Sequence, residues 1–159
     1  MMTRRDFFSS FALKRTGGKT STRALLPYLC DVSMPQSVCP SCDAPCVSSC
    51  EENIIVLSGG IPSVDFKKGG CTFCAKCAQV CYRGVLNESM SAKIDVKIAI
   101  KTKECLSWNG TMCYTCKDAC EAKAISFFGA FRPVIDERLC SGCGACISAC
   151  EAISIKESV

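Results

Sequence analysis

Short apolar runs, broken by glycine, proline and cysteine-rich turns, recur along most of this chain. Ile54-Ile55-Val56-Leu57, then Gly59-Gly60, then Ser63-Val64-Asp65-Phe66 read as a hairpin within residues 51–66. Pro62 sits beside its turn, where an edge strand tolerates it. Ala124-Ile125-Ser126-Phe127-Phe128, Gly129 and the stretch from Phe131 to Ile135 repeat that pattern. Ile94, Val96, Ile98 and Ile100 alternate with Asp95, Lys97, Ala99 and Lys101, which predicts a half-buried strand placed at a contact between two lobes. Ala152-Ile153-Ser154-Ile155 predicts a closing strand. No apolar stretch is long enough to span a membrane.

Cysteine changes the picture. Seventeen of the 159 residues are cysteine and none is histidine. Sixteen fall into four runs. Cys71, Cys74, Cys77 and Cys81, and again Cys140, Cys143, Cys146 and Cys150, read C-x2-C-x2-C-x3-C, the spacing of a bacterial-type [4Fe–4S] ferredoxin. Cys39, Cys42, Cys46 and Cys50 carry one more residue after the second cysteine, with Pro45 as the addition. Cys105, Cys113, Cys116 and Cys120 carry a seven-residue insert that holds Trp108 and Gly110 and enlarges the loop over one site. Three closely spaced thiolates wrap three corners of a cubane, and the fourth cysteine of each run serves the other cluster of a pair. Each run predicts a short helix that its fourth cysteine enters.

Twenty residues separate Cys50 from Cys71 and nineteen separate Cys120 from Cys140, so the runs pair into two copies of one two-cluster unit. The interleaving rule gives Cys39, Cys42, Cys46 and Cys81 to a first cluster and Cys71, Cys74, Cys77 and Cys50 to a second. It gives Cys105, Cys113, Cys116 and Cys150 to a third and Cys140, Cys143, Cys146 and Cys120 to a fourth. Disulfides fit poorly, because the cysteine count is odd and no clear signal peptide is present. Structural zinc uses separated cysteine pairs, not three bunched cysteines with a fourth behind them. Cys30, outside every run, reads as a packed free thiol. The rival is that it replaces a ligand at the irregular first site.

The expected fold is therefore α+β: two tandem bacterial-type two-cluster ferredoxin modules, residues 30–90 and 91–159, the second including the linking strand. Each lobe is too small for a large side-chain core, so the clusters form the inner core. Phe73, Phe127, Phe128 and Phe131 either shield them or simply pack. Residues 1–29 form a separate segment. In residues 1–30 six basic side chains against Asp6 leave +5, so the rest of the +4 chain carries −1. Each cluster with its thiolates adds about −2, which takes the cysteine-bearing region to about −9. Phe7, Phe8 and Phe11 argue for an amphipathic helix rather than a nucleic-acid-binding run. Arg4-Arg5 looks like a twin-arginine export motif, but the apolar stretch from Phe7 to Leu13 contains Ser9 and Ser10 and stops at Lys14. The expected location is thus the cytoplasm.

Several stretches resemble the NapF family, ferredoxin-type accessory proteins of periplasmic nitrate reductase systems. They are Arg4-Arg5; Cys42-Asp43-Ala44; Cys50-Glu51 with Asn53-Ile54; the run from Gly60 to Lys67; Cys71 to Cys81; Cys105-Leu106; Cys113 to Glu121; and Cys140 to Cys146. Glu51, Tyr82, Glu121 and Glu151 stand where a plain ferredoxin often has proline after the fourth cysteine. The resemblance implies a cytoplasmic protein with four [4Fe–4S] clusters that acts on the catalytic molybdenum subunit of periplasmic nitrate reductase before export. Four clusters in a row suit a one-electron relay, with redox proteins as partners. The phenylalanine-bearing basic segment favours a maturation factor. The combined expectation is an electron-transfer accessory protein without catalytic residues, hence not an enzyme. The alternative is an independent soluble polyferredoxin, or the electron-transfer subunit of another redox complex.

Overall fold

The computed structural model describes residues 26–158, and within them every strand pairs with one other strand only. In chain order the elements are α1 (Met34–Val38), α2 (Pro45–Ser48), β1 (Ile55–Ser58), β2 (Ile61–Val64), α3 (Lys76–Gln79), β3 (Lys97–Ile100), α4 (Thr115–Asp118), β4 (Ile125–Phe128), β5 (Arg132–Ile135), α5 (Ala145–Ser148) and β6 (Ile155–Ser158). The result is a small mixed α+β fold. The two predicted hairpins form as β1–β2 and β4–β5, both antiparallel. Each return strand carries a proline, Pro62 opposite Leu57 and Pro133 opposite Phe127, which a two-stranded sheet tolerates because the missing N–H faces no third strand.

The strand from Ile94 is shorter than its alternation predicts and has a different role. β3 begins at Lys97 and pairs with β6, Ile100 opposite Ile155, so it closes the second half of the chain rather than bridging two lobes. Ile94 lies before it, fully buried, and its N–H donates to the carbonyl of Ser141. The closing strand itself starts at Ile155, three residues later than the pattern at Ala152 suggests. The first half is stitched in a similar way. Leu29 bridges Leu86, flanked by Cys30 N–H to Val85 O and Asn87 N–H to Tyr28 O. Leu26 and Tyr28 are buried, so the body of the protein already includes residues assigned above to the N-terminal segment.

Around the cysteine runs the chain repeats one local conformation. The third cysteine of each run, Cys46, Cys77, Cys116 or Cys146, lies inside a four-residue helix and is buried. The fourth does not enter that helix, contrary to what the spacing predicts. It follows two residues after the helix ends, because one helical turn aims the third thiol inward and the exit must carry the fourth past it. Three residues beyond each fourth cysteine the chain turns through a left-handed residue: Asn53, Gly84, Lys123 or Ile153. Each donates its N–H back to the carbonyl of that cysteine. This turn takes the place of the proline exit.

The two halves meet along a seam made close by glycine. Cys71 N–H donates to Cys143 O at 2.8 Å. A Cβ on Gly70 would lie 2.7 Å from the Ala145 backbone. One on Gly144, which is left-handed at φ +78°, would lie 1.8 Å from the buried ring of Phe66. Gly144→Ala therefore combines the backbone cost of a left-handed residue with overpacking, an expected loss of about 3 kcal/mol. Gly84→Ala, also at positive φ but with open space around it, carries the backbone cost alone, about 1 kcal/mol. Thermal loss of the folded state, compared among the two variants and the parent, checks the difference; equal midpoints for both variants would contradict the seam packing.

Candidate metal centres

Four cavities open beside the four helices that carry the third cysteines, each lined by four cysteines. The first is lined by Cys39, Cys42, Cys46 and Cys81, and the second by Cys50, Cys71, Cys74 and Cys77. Cys105, Cys113, Cys116 and Cys150 line the third, and Cys120, Cys140, Cys143 and Cys146 the fourth. With their mouths they enclose about 390, 380, 390 and 330 Å³ respectively. Each takes three cysteines from one run and the fourth from its partner run, because the exit turn carries that thiol away from its own helix.

Among the described residues, no three or more Cys, Asp or Glu side chains converge to hold a single metal ion. The thiols stand around a void instead of meeting at a point. A lining of four thiols around one void fits a polynuclear iron–sulfur group. Backbone amides face several sulfurs: Ala44 N–H to Cys42 Sγ, Phe73 N–H to Cys71 Sγ and Leu86 N–H to Cys81 Sγ at 3.4 Å, and Ala124 N–H to Cys120 Sγ at 3.3 Å. Such donors favour thiolate and offset the charge of an anionic cluster.

Burial opposes the same charge. It pushes the thiols of Cys46 and Cys116 up to about 11 and those of Cys77 and Cys146 up to about 12, with the neighbouring cysteines of each cavity adding to the rise. Cys71 is pushed to about 11 by burial, with the Phe73 amide pulling the other way and Cys143 across the seam among the thiols that raise it. Near neutral pH these thiols hold their protons until positive charge arrives between them.

The cavities form a line. Thiols of the first and second influence one another through Cys46 and Cys77, and those of the third and fourth through Cys116 and Cys146. The second and fourth meet at the Cys71–Cys143 hydrogen bond, where a cleft opens between Phe73, Glu52, Glu121 and Ala145. The order along the line is first, second, fourth, third.

A 4Fe-4S binding domain family matches residues 133–152, which hold the fourth run and the strand before it. The ferredoxin-type protein NapF of Escherichia coli strain K12 is 36% identical over 142 residues, covering 86% of this chain and 85% of the relative. The chain belongs to the NapF family. NapF of Haemophilus influenzae is 35% identical over 138 residues, covering 81% of this chain and 75% of that protein. The methylamine utilization ferredoxin-type protein MauM of Paracoccus denitrificans is 25% identical over 169 residues, covering 90% and 74%. As a member of a ferredoxin-type family the chain is an iron–sulfur accessory protein and not an enzyme.

Several details depart from the sequence reading. The extra residue of the first run is Asp43, not Pro45. Pro45 occupies the first helical position, as Lys76 and Ala145 do in the regular runs, and Ala44 before it is left-handed like Ala75 and Gly144. Proline suits that position, so Cys46 reaches its cavity undisplaced. Asp43 instead accepts the hydroxyl of Tyr82 at 2.5 Å, beside Cys42, in a contact that no spacing rule signals. That hydrogen bond lowers the Asp43 carboxyl and pushes Tyr82 up to about 12. Cys30 lines none of the four cavities. Of the four phenylalanines, Phe73 lines the second cavity, Phe127 packs on Tyr114 at 4.8 Å, and Phe128 and Phe131 are exposed. Trp108 is pinned to the second hairpin by Nε1–H to Pro133 O. Among the described residues no helix is long and apolar enough to cross a membrane. The arginine pair and the phenylalanines of the basic segment lie outside the described residues.

Proposed function

We propose that this chain is an electron-transfer accessory protein carrying four [4Fe–4S] clusters in two tandem two-cluster modules, residues 30–90 and 91–159. The carrying observation is the set of four cavities, each lined by four cysteines drawn crosswise from two runs. In this reading Cys39, Cys42, Cys46 and Cys81 hold the first cluster and Cys50, Cys71, Cys74 and Cys77 the second. Cys105, Cys113, Cys116 and Cys150 hold the third, and Cys120, Cys140, Cys143 and Cys146 the fourth. Each cluster supplies a one-electron couple when bound. The chain's own residues wrap it, exclude water with Ile54, Val85 and Ile155, and aim amide N–H groups at its thiolates.

Substitutions that break two corners test the crosswise ligation. Cys39→Ala with Cys81→Ser removes two corners of one site, so together they cost about a quarter of the bound iron, no more than either alone. Cys71→Ala with Cys81→Ser strikes two sites and costs about half. Iron analysis of anaerobically purified variants reads this directly, and a reversed pattern would mean that each run serves its own cluster.

The role in this reading is maturation: the protein engages the cytoplasmic precursor of the periplasmic nitrate reductase catalytic subunit before export. Family membership supports it, as does the basic segment, which a simple relay does not need. That segment joins the body at Leu26, which lines the first cavity. A cytoplasmic location follows, since oxygen-sensitive clusters suit a reducing compartment. The alternative is an independent polyferredoxin. Deleting residues 1–25 separates them, and leaves Leu26, Tyr28 and Leu29 to close the first half. The shortened protein is expected to keep its iron and lose binding to the precursor enzyme. Retained binding would remove the segment from the function.

A further inference from the structure

Ser107 lies in the insert between Cys105 and Cys113, is 1% exposed, and lines the third cavity. Among the described residues its hydroxyl is the one buried side-chain polar atom without a hydrogen-bond partner. Native folds rarely leave a buried hydroxyl unsatisfied, so its partner is expected in what the cavity holds. Ser154, also 1% exposed, lines the same cavity with Oγ 3.3 Å from Cys150 Sγ. A cysteine that ligates iron has no proton, so in that pair the serine is the donor. The other cavities differ. No serine lines the first or second, Thr72 of the second is exposed, and Ser141 of the fourth is only half-buried. The tyrosine hydroxyls there are already committed, Tyr82 to Asp43 and Tyr28 to the carbonyl of Phe73.

We propose that Ser107 and Ser154 donate hydrogen bonds to sulfur at the third site and raise its reduction potential. The proposal rests on reading Cys105, Cys113, Cys116 and Cys150 as cluster ligands. Adding an electron makes an iron–sulfur group more negative. Hydrogen bonds to its sulfurs stabilise that state more than the oxidised one, which raises the potential.

Full-length, anaerobically loaded protein titrated with dithionite and followed by electron paramagnetic resonance tests this. The signal absent from a Cys113→Ser protein is assigned to the third site. In Ser107→Ala and in Ser154→Ala proteins, held at the parent midpoint of that signal, the reduced-to-oxidised ratio is expected to fall about ten-fold, equivalent to about 59 mV for a one-electron couple. The other signals and the iron content should stay unchanged. An unmoved midpoint with full iron overturns the proposal. If Ser107→Ala loses the third site's iron, Ser107→Thr keeps the hydroxyl and is expected to load with the parent midpoint; a lowered midpoint there counts against the hydroxyl. The parent protein exchanged into heavy water settles the remaining case, since pulsed resonance must then show an exchangeable deuteron coupled to the third site, and its absence overturns the proposal. Should Cys113→Ser keep all iron and every signal, the ligand reading fails instead.

Discussion

Four thiols, the third of each run buried, cannot share one void as thiolates unless positive charge sits between them. That constraint governs this fold. The elements are too short to stand alone: one-turn helices and four-residue strands bury little, and the third cysteine of each run is itself part of the apolar core. Burial pushes those thiols well above their ordinary range, so a metal-free cage is a set of neutral, weakly packed side chains. A bound cluster would replace their protons with iron and join four points of the chain at once. Its binding free energy is then largely folding free energy.

The crosswise arrangement follows from local geometry. The third thiol points inward from a helical turn, the exit turn carries the fourth past it, and the next hairpin brings in the partner run. Two halves built in this way then join through Gly70 and Gly144, whose missing side chains let the second and fourth cavities approach. The four sites form a line whose ends differ. One end receives the chain at Leu26 and carries the Asp43–Tyr82 contact; the other carries two buried serines.

Much of this was legible in the sequence because it rests on residue type and spacing. Both hairpins lie where Gly59-Gly60 and Gly129 interrupt alternating apolar residues, and near-equal gaps between runs pointed to a repeat. What was not legible depends on backbone conformation or distant partners. Lys123 and Ile153 give no hint of a left-handed turn, yet they stand where Gly84 and Asn53 stand in the first half. Pro45 drew attention as the irregular residue although it fits a helix start, while Asp43, the true addition, looks like an ordinary loop residue. The partner of β3 is nearly sixty residues away, so alternation showed a strand without showing which half it closes. Ser107 has no motif at all; only its burial without a partner marks it.

The central claim is that each of the four cysteine cages holds a cubane. Iron and acid-labile sulfide analysis of the full chain purified without oxygen, combined with Mössbauer spectroscopy, tests it most directly. The account requires about sixteen iron and about sixteen sulfide per chain, all in cubane form. Zinc in place of iron, or iron sufficient for only two clusters after full reconstitution, would contradict it.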